Sequence, residues 1–252
     1  MKGAQLSLLV GLDGNGTNLI TLRRSPYVQR TRGRIALIID DCGYQSRELL
    51  AGFCGLPVPI TASIFPDERE TAWMAKLATN SGHEVMVHLP MEPIDYPKRD
   101  PGHGAIFAHF DYDRIRKATR HAIEAVPGAR GLNNHMGSRG TEDRRVIGYV
   151  LDEIKKQNLF FIDSVTSQHS VAYNVSLEMG IPSGRNTQFL DLEAEDALIA
   201  DRMRSLAMKA RQYGTVIGIG HAKASTLSAL QNMIPQLQSE GFEFVTVSMA
   251  IH

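Results

Sequence analysis

Cysteine is nearly missing from this chain: Cys42 and Cys54 are its only two in 252 residues. Two thiols build neither a disulfide framework nor a Cys-rich zinc site, and they read as ordinary buried side chains. Net charge is missing as well, with 27 basic residues against 27 acidic ones. No overall basic field draws in nucleic acid, and none is expected as a partner. No apolar run is long enough to span a membrane. The opening MKGAQLSLLVGLDG has too short an apolar stretch, broken by Gly and Asp, for a secretory leader. Phosphate-cradling glycines are lacking too, because GLDGNG (11–16) is not followed by Lys-Ser/Thr. Ser138 and Ser164 lack the Gly-x-Ser-x-Gly setting of an activated serine.

What is present is a chain that is 43% hydrophobic, enough for one sizeable core. Residues 1–33, rich in Gly, Asn, Ser and Arg, read as an N-terminal linker or a truncated leader region. The arginines there (Arg23, Arg24, Arg30, Arg32, with Arg34 just beyond) read as solvated. The folded domain is expected over 34–252. Within it, short apolar runs alternate with amphipathic stretches. Strands are expected at 34–40, 60–65, 83–89, 159–164, 215–221 and 242–250, and helices at 68–82, 112–128, 143–158, 197–214 and 226–241. Such alternation predicts a parallel sheet. Six units or more in one α/β domain predict a closed or nearly closed (β/α) barrel.

The polar residues recur at one relative position. IALIID ends in Asp40-Asp41, EVMV in His88, GLNN in His135, LFFI in Asp163-Ser164, and VIGIG in His221. In a parallel barrel the C-terminal strand ends converge on one face, which carries the chemistry. Asp and His are ligands for a borderline divalent metal such as Zn²⁺. Side chains alternate along a strand, so adjacent aspartates point different ways. One can bind metal while the other stays free as a base beside a metal-bound water. A helical HExxH site is excluded, since His83 and His88 stand at i and i+5. His83 is expected to be a strand-entry residue. Asp191, after the apolar pair in TQFLDL, is a further candidate for the same face. Trp73, the only Trp, reads as packing.

The order DD, GHEVMVHLPMEP, GLNNHMGS, FFIDSVTS, GIGHA over residues 35–250 resembles the divergent polysaccharide deacetylases, a branch of the NodB-like carbohydrate esterase superfamily. The resemblance implies a distorted (β/α) barrel, usually seven-stranded, and a divalent metal, foremost zinc. It also implies a glycan substrate from which acetyl groups are removed hydrolytically, in the cell envelope or periplasm. Carried over by motif, Asp40 is the base, Asp41 and His88 are metal ligands, His221 protonates the leaving group, and Asp163 tunes His221. The superfamily's second motif has another His where this chain has Glu92, so the third ligand is Glu92 or His135, with His135 preferred and Glu92 then left to substrate. Asn134, Arg185 and Asp191 are the remaining candidates for substrate contact. The Arg of the usual third motif is replaced by Asn133-Asn134-His135. That departure keeps two alternatives in view: a glycan-binding envelope protein without activity, and a different metallohydrolase, an amidase or phosphoesterase, on the same barrel.

Overall fold

The structure is a computed structural model that describes residues 5–12, 15–23 and 31–251. The chain divides into two compact units, Met1–Thr31 and Arg32–His252. In the first, β1 (Gln5–Leu12) and β2 (Asn15–Arg23) pair antiparallel. Within the stretch 1–33, read as an N-terminal linker or truncated leader region, residues 5–12 and 15–23 are thus paired strands. Leu6, Leu8 and Val10 alternate with Gln5, Ser7 and Leu9, and the partners Leu22 and Ile20 extend the apolar face. That period-2 pattern is a strand signal, and the sequence between the strands is Asp13-Gly14, a dipeptide favoured in tight hairpins.

The second unit runs β3 (Gly33–Cys42), α1 (Arg47–Cys54), β4 (Thr61–Ile64), α2 (Thr71–Asn80), β5 (Glu84–Met91), α3 (Tyr112–Ala125), β6 (Gly131–Met136) and α4 (Arg144–Lys156). It continues with β7 (Phe160–Asp163), α5 (Ala172–Glu178), β8 (Ser183–Arg185), β9 (Gln188–Phe189), α6 (Asp196–Tyr213), β10 (Thr215–His221), α7 (Ala224–Ser239), β11 (Phe242–Val245) and α8 (Val247–Ala250). The strands form one curled sheet in the order β8-β7-β6-β5-β4-β3-β10-β9, all pairings parallel, with β11 on the lower end of β3. β8 pairs with β7, and two residues later β9 pairs with β10. The segment thus reaches across the two sheet edges. Counted as one broken strand, it makes the ring seven-stranded, as the resemblance implies.

Period-2 alternation sorts the side chains onto two faces. Ile35, Leu37 and Ile39 of β3 join Val85, Val87, Leu132 and Phe161 in the large core between sheet and helices. Ala36 and Ile38 point inward with Met86, Phe160, Ile162, Ile217, Ile219 and Val245 to fill the barrel interior. The floor is closed by α8, whose residue Val247 belongs to that cluster. The sequence pattern predicts one strand over 242–250; the chain instead turns into α8 after Val245. Two buried inward groups take up the backbone there: Val247 N donates to Thr61 Oγ1 at 3.1 Å, and Ser248 N donates to Glu84 Oε1 at 3.1 Å. They satisfy helix N-terminal amides that an apolar floor would leave orphaned.

α6 lies close against β3. A Cβ on Gly33 would stand 2.5 Å from the Ala210 carbonyl carbon and oxygen, which are backbone and cannot rotate aside. Gly33→Ala is therefore expected to push α6 away and to destabilise the domain by about 1–3 kcal/mol, the usual cost of overpacking. The urea midpoint, read by circular dichroism, checks it; an unchanged midpoint would contradict this packing.

Candidate metal centre

The inward rows continue upward from the apolar interior into polar residues. Above Ile38 on β3 comes Asp40, above Met86 on β5 comes His88, and above Ile219 on β10 comes His221. Asn133 and His135 follow Gly131 on the same face of β6. Asp41 should by alternation point outward. Instead its backbone takes the left-handed conformation (φ 62°), and the β3–β4 register is irregular between Ile39 and Cys42. This turn brings the second aspartate to the same face as the first.

Three donor atoms meet there. Asp41 Oδ1 lies 3.2 Å from His88 Nε2 and 3.2 Å from His135 Nδ1, and the two imidazole nitrogens are 3.1 Å apart. A tetrahedral zinc with ligand bonds of about 2.0–2.1 Å has ligand–ligand edges of about 3.3 Å. The donor set and spacing therefore fit a divalent metal, with Asp41, His88 and His135 as its protein ligands. Phe65 stands edge-on to His135 (centroids 4.7 Å) and tilted against His88 (4.9 Å), walling the rings in.

The electrostatics follow from this packing. Burial alone would raise the Asp41 carboxyl pKa, but hydrogen bonds from His135 and His88 hold it far below the usual carboxylate range. Burial disfavours charge on His88, yet the flanking Asp40 and Asp41 push its pKa up. His135 is lowered by burial despite its bond to Asp41.

His221, paired with Asp40 across β10 and β3, lines a cavity of about 340 Å³ that Asp40, His88, His135, Ser164 and Phe189 also line. Its Nδ1 lies 2.7 Å from Asp191 Oδ1, and its backbone N donates to Asp191 Oδ2 at 2.7 Å. Burial opposes charging of His221, but the Asp191 carboxylate, with Asp40 and Asp41 beyond, raises its pKa. Asp191 is correspondingly lowered by His221 and Thr226 against its own burial. With Nδ1 engaged, Nε2 is the atom left for the cavity.

Several expected roles move. Asp163 does not reach His221: Ile162 points inward, so its neighbour points out, where Oδ2 accepts from Ser170 Oγ at 2.7 Å and Oδ1 from Val165 N at 2.9 Å. Asp191 holds the position assigned to Asp163. Glu92 is not among the three clustered donors; its Oε2 accepts from Ala108 N at 2.6 Å and its backbone oxygen from Arg139 N and Gly140 N, which anchors the loop over residues 93–107. Arg185 lies outside this cavity and stacks on Tyr173 at 5.7 Å. Asn134 lines the cavity, but its amide is engaged by Ser164 N, Met136 O and Thr166 Oγ1. His83 is structural as expected, with Nε2 bonded to the Cys54 carbonyl at 3.0 Å. Sequence reasoning missed Ser164 as a wall of the site; its hydroxyl is buried at the cavity with no hydrogen-bond partner among the described residues. The signal was available, since Phe160 and Ile162 set the inward row that Ser164 continues. It also missed Asn133, wholly buried beneath Asp40 and His88.

Residues 37–251 match the family described as divergent polysaccharide deacetylase. The chain belongs to that family. It is 34% identical over 208 residues to the uncharacterized protein YibQ of Escherichia coli strain K12, covering 81% of this chain and 63% of that one. The chain thus spans under two thirds of that relative's length. Among solved structures it is similar to the uncharacterized protein ATU2773 from Agrobacterium tumefaciens C58, with a TM-score of 0.83 at 23% identity over 89% of this chain and 91% of that one. More distant in fold are the Bc1960 peptidoglycan N-acetylglucosamine deacetylase (TM-score 0.53, 15% identity, 86% and 87% covered) and BA3943 from Bacillus anthracis, a CE4 family pseudoenzyme (0.52, 16%, 86% and 65%). The fold is therefore shared by enzymes and by proteins without activity.

Three outcomes are expected. Elemental analysis of wild-type protein supplied with zinc should find about one equivalent, lost in His88→Ala. Because a proton on His88 competes with metal and its pKa is raised, zinc affinity should fall as the pH is lowered; calorimetry at several pH values checks the sign. Asp191→Asn should lower the pKa of His221, read by NMR titration of the ring, since the charge that raises it is removed.

Proposed function

We propose that this domain is a metal-dependent hydrolase that removes acetyl groups from a cell-envelope glycan. The observation that carries this reading is the convergence of a three-donor metal set with Asp40 and His221, which are neighbours across the β3–β10 pairing and line one cavity. The envelope location and glycan substrate are supported by the family and by the activity of a fold neighbour, a peptidoglycan N-acetylglucosamine deacetylase. When bound, a divalent ion such as zinc supplies Lewis acidity to an acyl carbonyl and acidity to a water.

The chain's own groups supply the proton transfers. Asp40, buried beside His88 with one oxygen held by Asn133, takes a proton from the attacking water. The water oxygen bonds to the acyl carbon, and the bond from that carbon to the sugar nitrogen or oxygen breaks. His221 gives its Nε2 proton to the departing amine or hydroxyl. Asp191 keeps the imidazole oriented and favours its charged form before transfer, as its 2.7 Å contact requires. Ser164 Oγ offers a free hydrogen-bonding group to the sugar or acyl oxygen.

A second reading, glycan binding without turnover, is favoured by the missing third-motif Arg and by the pseudoenzyme of the same fold. Acetate release from acetylated sugars and peptidoglycan fragments separates the two. His221→Ala is expected to keep metal and fold while lowering kcat by about 10²–10⁴; Asp41→Ala should lose metal and turnover together. Tight glycan binding by metal-loaded wild-type protein with no acetate released would favour the second reading.

A further inference from the structure

We infer that Asn133 is the positioning residue of this centre: one buried amide holds Asp40 with its nitrogen and, with its oxygen, selects the ring nitrogen through which His88 binds metal. The assignment of Asp40 as base rests on the function proposed above; the selection at His88 does not.

Asn133 is fully buried on the inward face of β6. Its side chain touches three strands. Nδ2 donates to Asp40 Oδ1 on β3 at 2.8 Å. Oδ1 accepts from Ser63 Oγ on β4 at 2.7 Å and lies 2.8 Å from His88 Nδ1 on β5. Heavy-atom positions alone do not tell an amide nitrogen from its oxygen, so the network decides. An ionised carboxylate only accepts. Turned the other way, the amide oxygen would face Asp40 with no proton between two acceptors. The nitrogen therefore faces Asp40, and the oxygen faces His88 and Ser63.

The consequence passes to the metal site. An amide oxygen also only accepts, so His88 must carry its hydrogen on Nδ1. The nitrogen left to bind metal is Nε2, the atom 3.2 Å from Asp41 Oδ1 and 3.1 Å from His135 Nδ1. Partners on the far nitrogen of a ligating histidine commonly fix its tautomer and ring orientation. Here the same amide also ties that partner to the carboxylate beside the reacting water. A neutral group thus joins two charged functions where the superfamily's third motif has an Arg.

The test compares wild type with Asn133→Leu, which keeps the branched outline of the side chain and removes all three polar contacts, and with Ser63→Ala, which leaves the amide's orientation to Asp40. In zinc-loaded, ¹⁵N-labelled wild-type protein, ring shifts should show His88 coordinated through Nε2, with a hydrogen-bonded, slowly exchanging Nδ1 proton. In Asn133→Leu that proton should exchange fast and zinc affinity should fall about 10–100-fold, the usual effect of losing such a partner. At saturating zinc its kcat for acetate release should stay depressed while KM changes little, because Asp40 has lost its donor. Ser63→Ala should keep the Nδ1 proton and zinc affinity within a few-fold. Coordination of wild-type His88 through Nδ1 would overturn the inference even if the leucine variant failed to fold. Unchanged zinc affinity and proton exchange in a folded leucine variant would overturn it too. Wild-type protein with the expected ring shifts but no acetate release would instead count against the hydrolase reading alone.

Discussion

The backbone turn at Asp41 is the constraint on which the site depends. Strand β3 aims Asp40 into the barrel by simple alternation, and the same alternation would aim Asp41 into the helix layer. The left-handed φ of 62° and the register break against β4 redirect it. A non-glycine residue in that conformation costs roughly 1–2 kcal/mol. Hydrogen bonds to an ionised group contribute on the order of 1.5–3 kcal/mol each, and Asp41 faces two imidazoles within 3.2 Å. The partners that the turn reaches are thus sufficient to hold it.

The barrel interior supports this arrangement from below. Ala36, Ile38, Met86, Phe160, Ile162, Ile217 and Ile219 make an apolar plug on which the polar layer stands. Apart from Ser164, whose hydroxyl has no partner among the described residues, the polar side chains in that layer meet one another across elements: Asn133 with Asp40 and Ser63, His221 with Asp191, and His135 with His88 and Asp41. Buried polar groups are tolerable in such company because their hydrogen bonds are met internally. The exposed end of the layer is where groups remain free for a ligand.

Much of this was legible in the residues. Strand–helix alternation gave the barrel, and the recurring Asp or His after each apolar run picked out Asp40, His88, His135 and His221, which line one cavity. His135 won over Glu92 because β6 runs beside β5, pairing Pro90 with His135, whereas Glu92 lies past the strand end and is spent on the loop. Asp163 failed because its position in the strand is one residue out of phase with Phe160 and Ile162. Counting in twos from the apolar core, rather than taking the first acid after it, selects Ser164. Asp191 was a candidate for this face from the apolar pair before it, but its place beside His221 was not legible, since β9 is two residues long and gives no period to count. The hairpin in residues 5–23 was hidden by a composition rich in Gly, Asn and Arg, although its leucines alternate.

The broken strand β8–β9 gives the cavity an adjustable girth. Everywhere else the ring is closed by a parallel hydrogen-bond ladder that fixes the distance between neighbours. At this seam the circumference is set by Asn186 and Thr187, the short length of chain between the two pairings. Phe189 and Leu192, which wall the cavity beside His221, follow directly. An insertion or deletion there would widen or narrow the chamber while Asp41, His88 and His135, on the continuous arc of the ring, kept their spacing. On the proposed reading, the fold separates two problems that many sites must solve together, holding an ion and fitting a substrate, and assigns them to different parts of its perimeter.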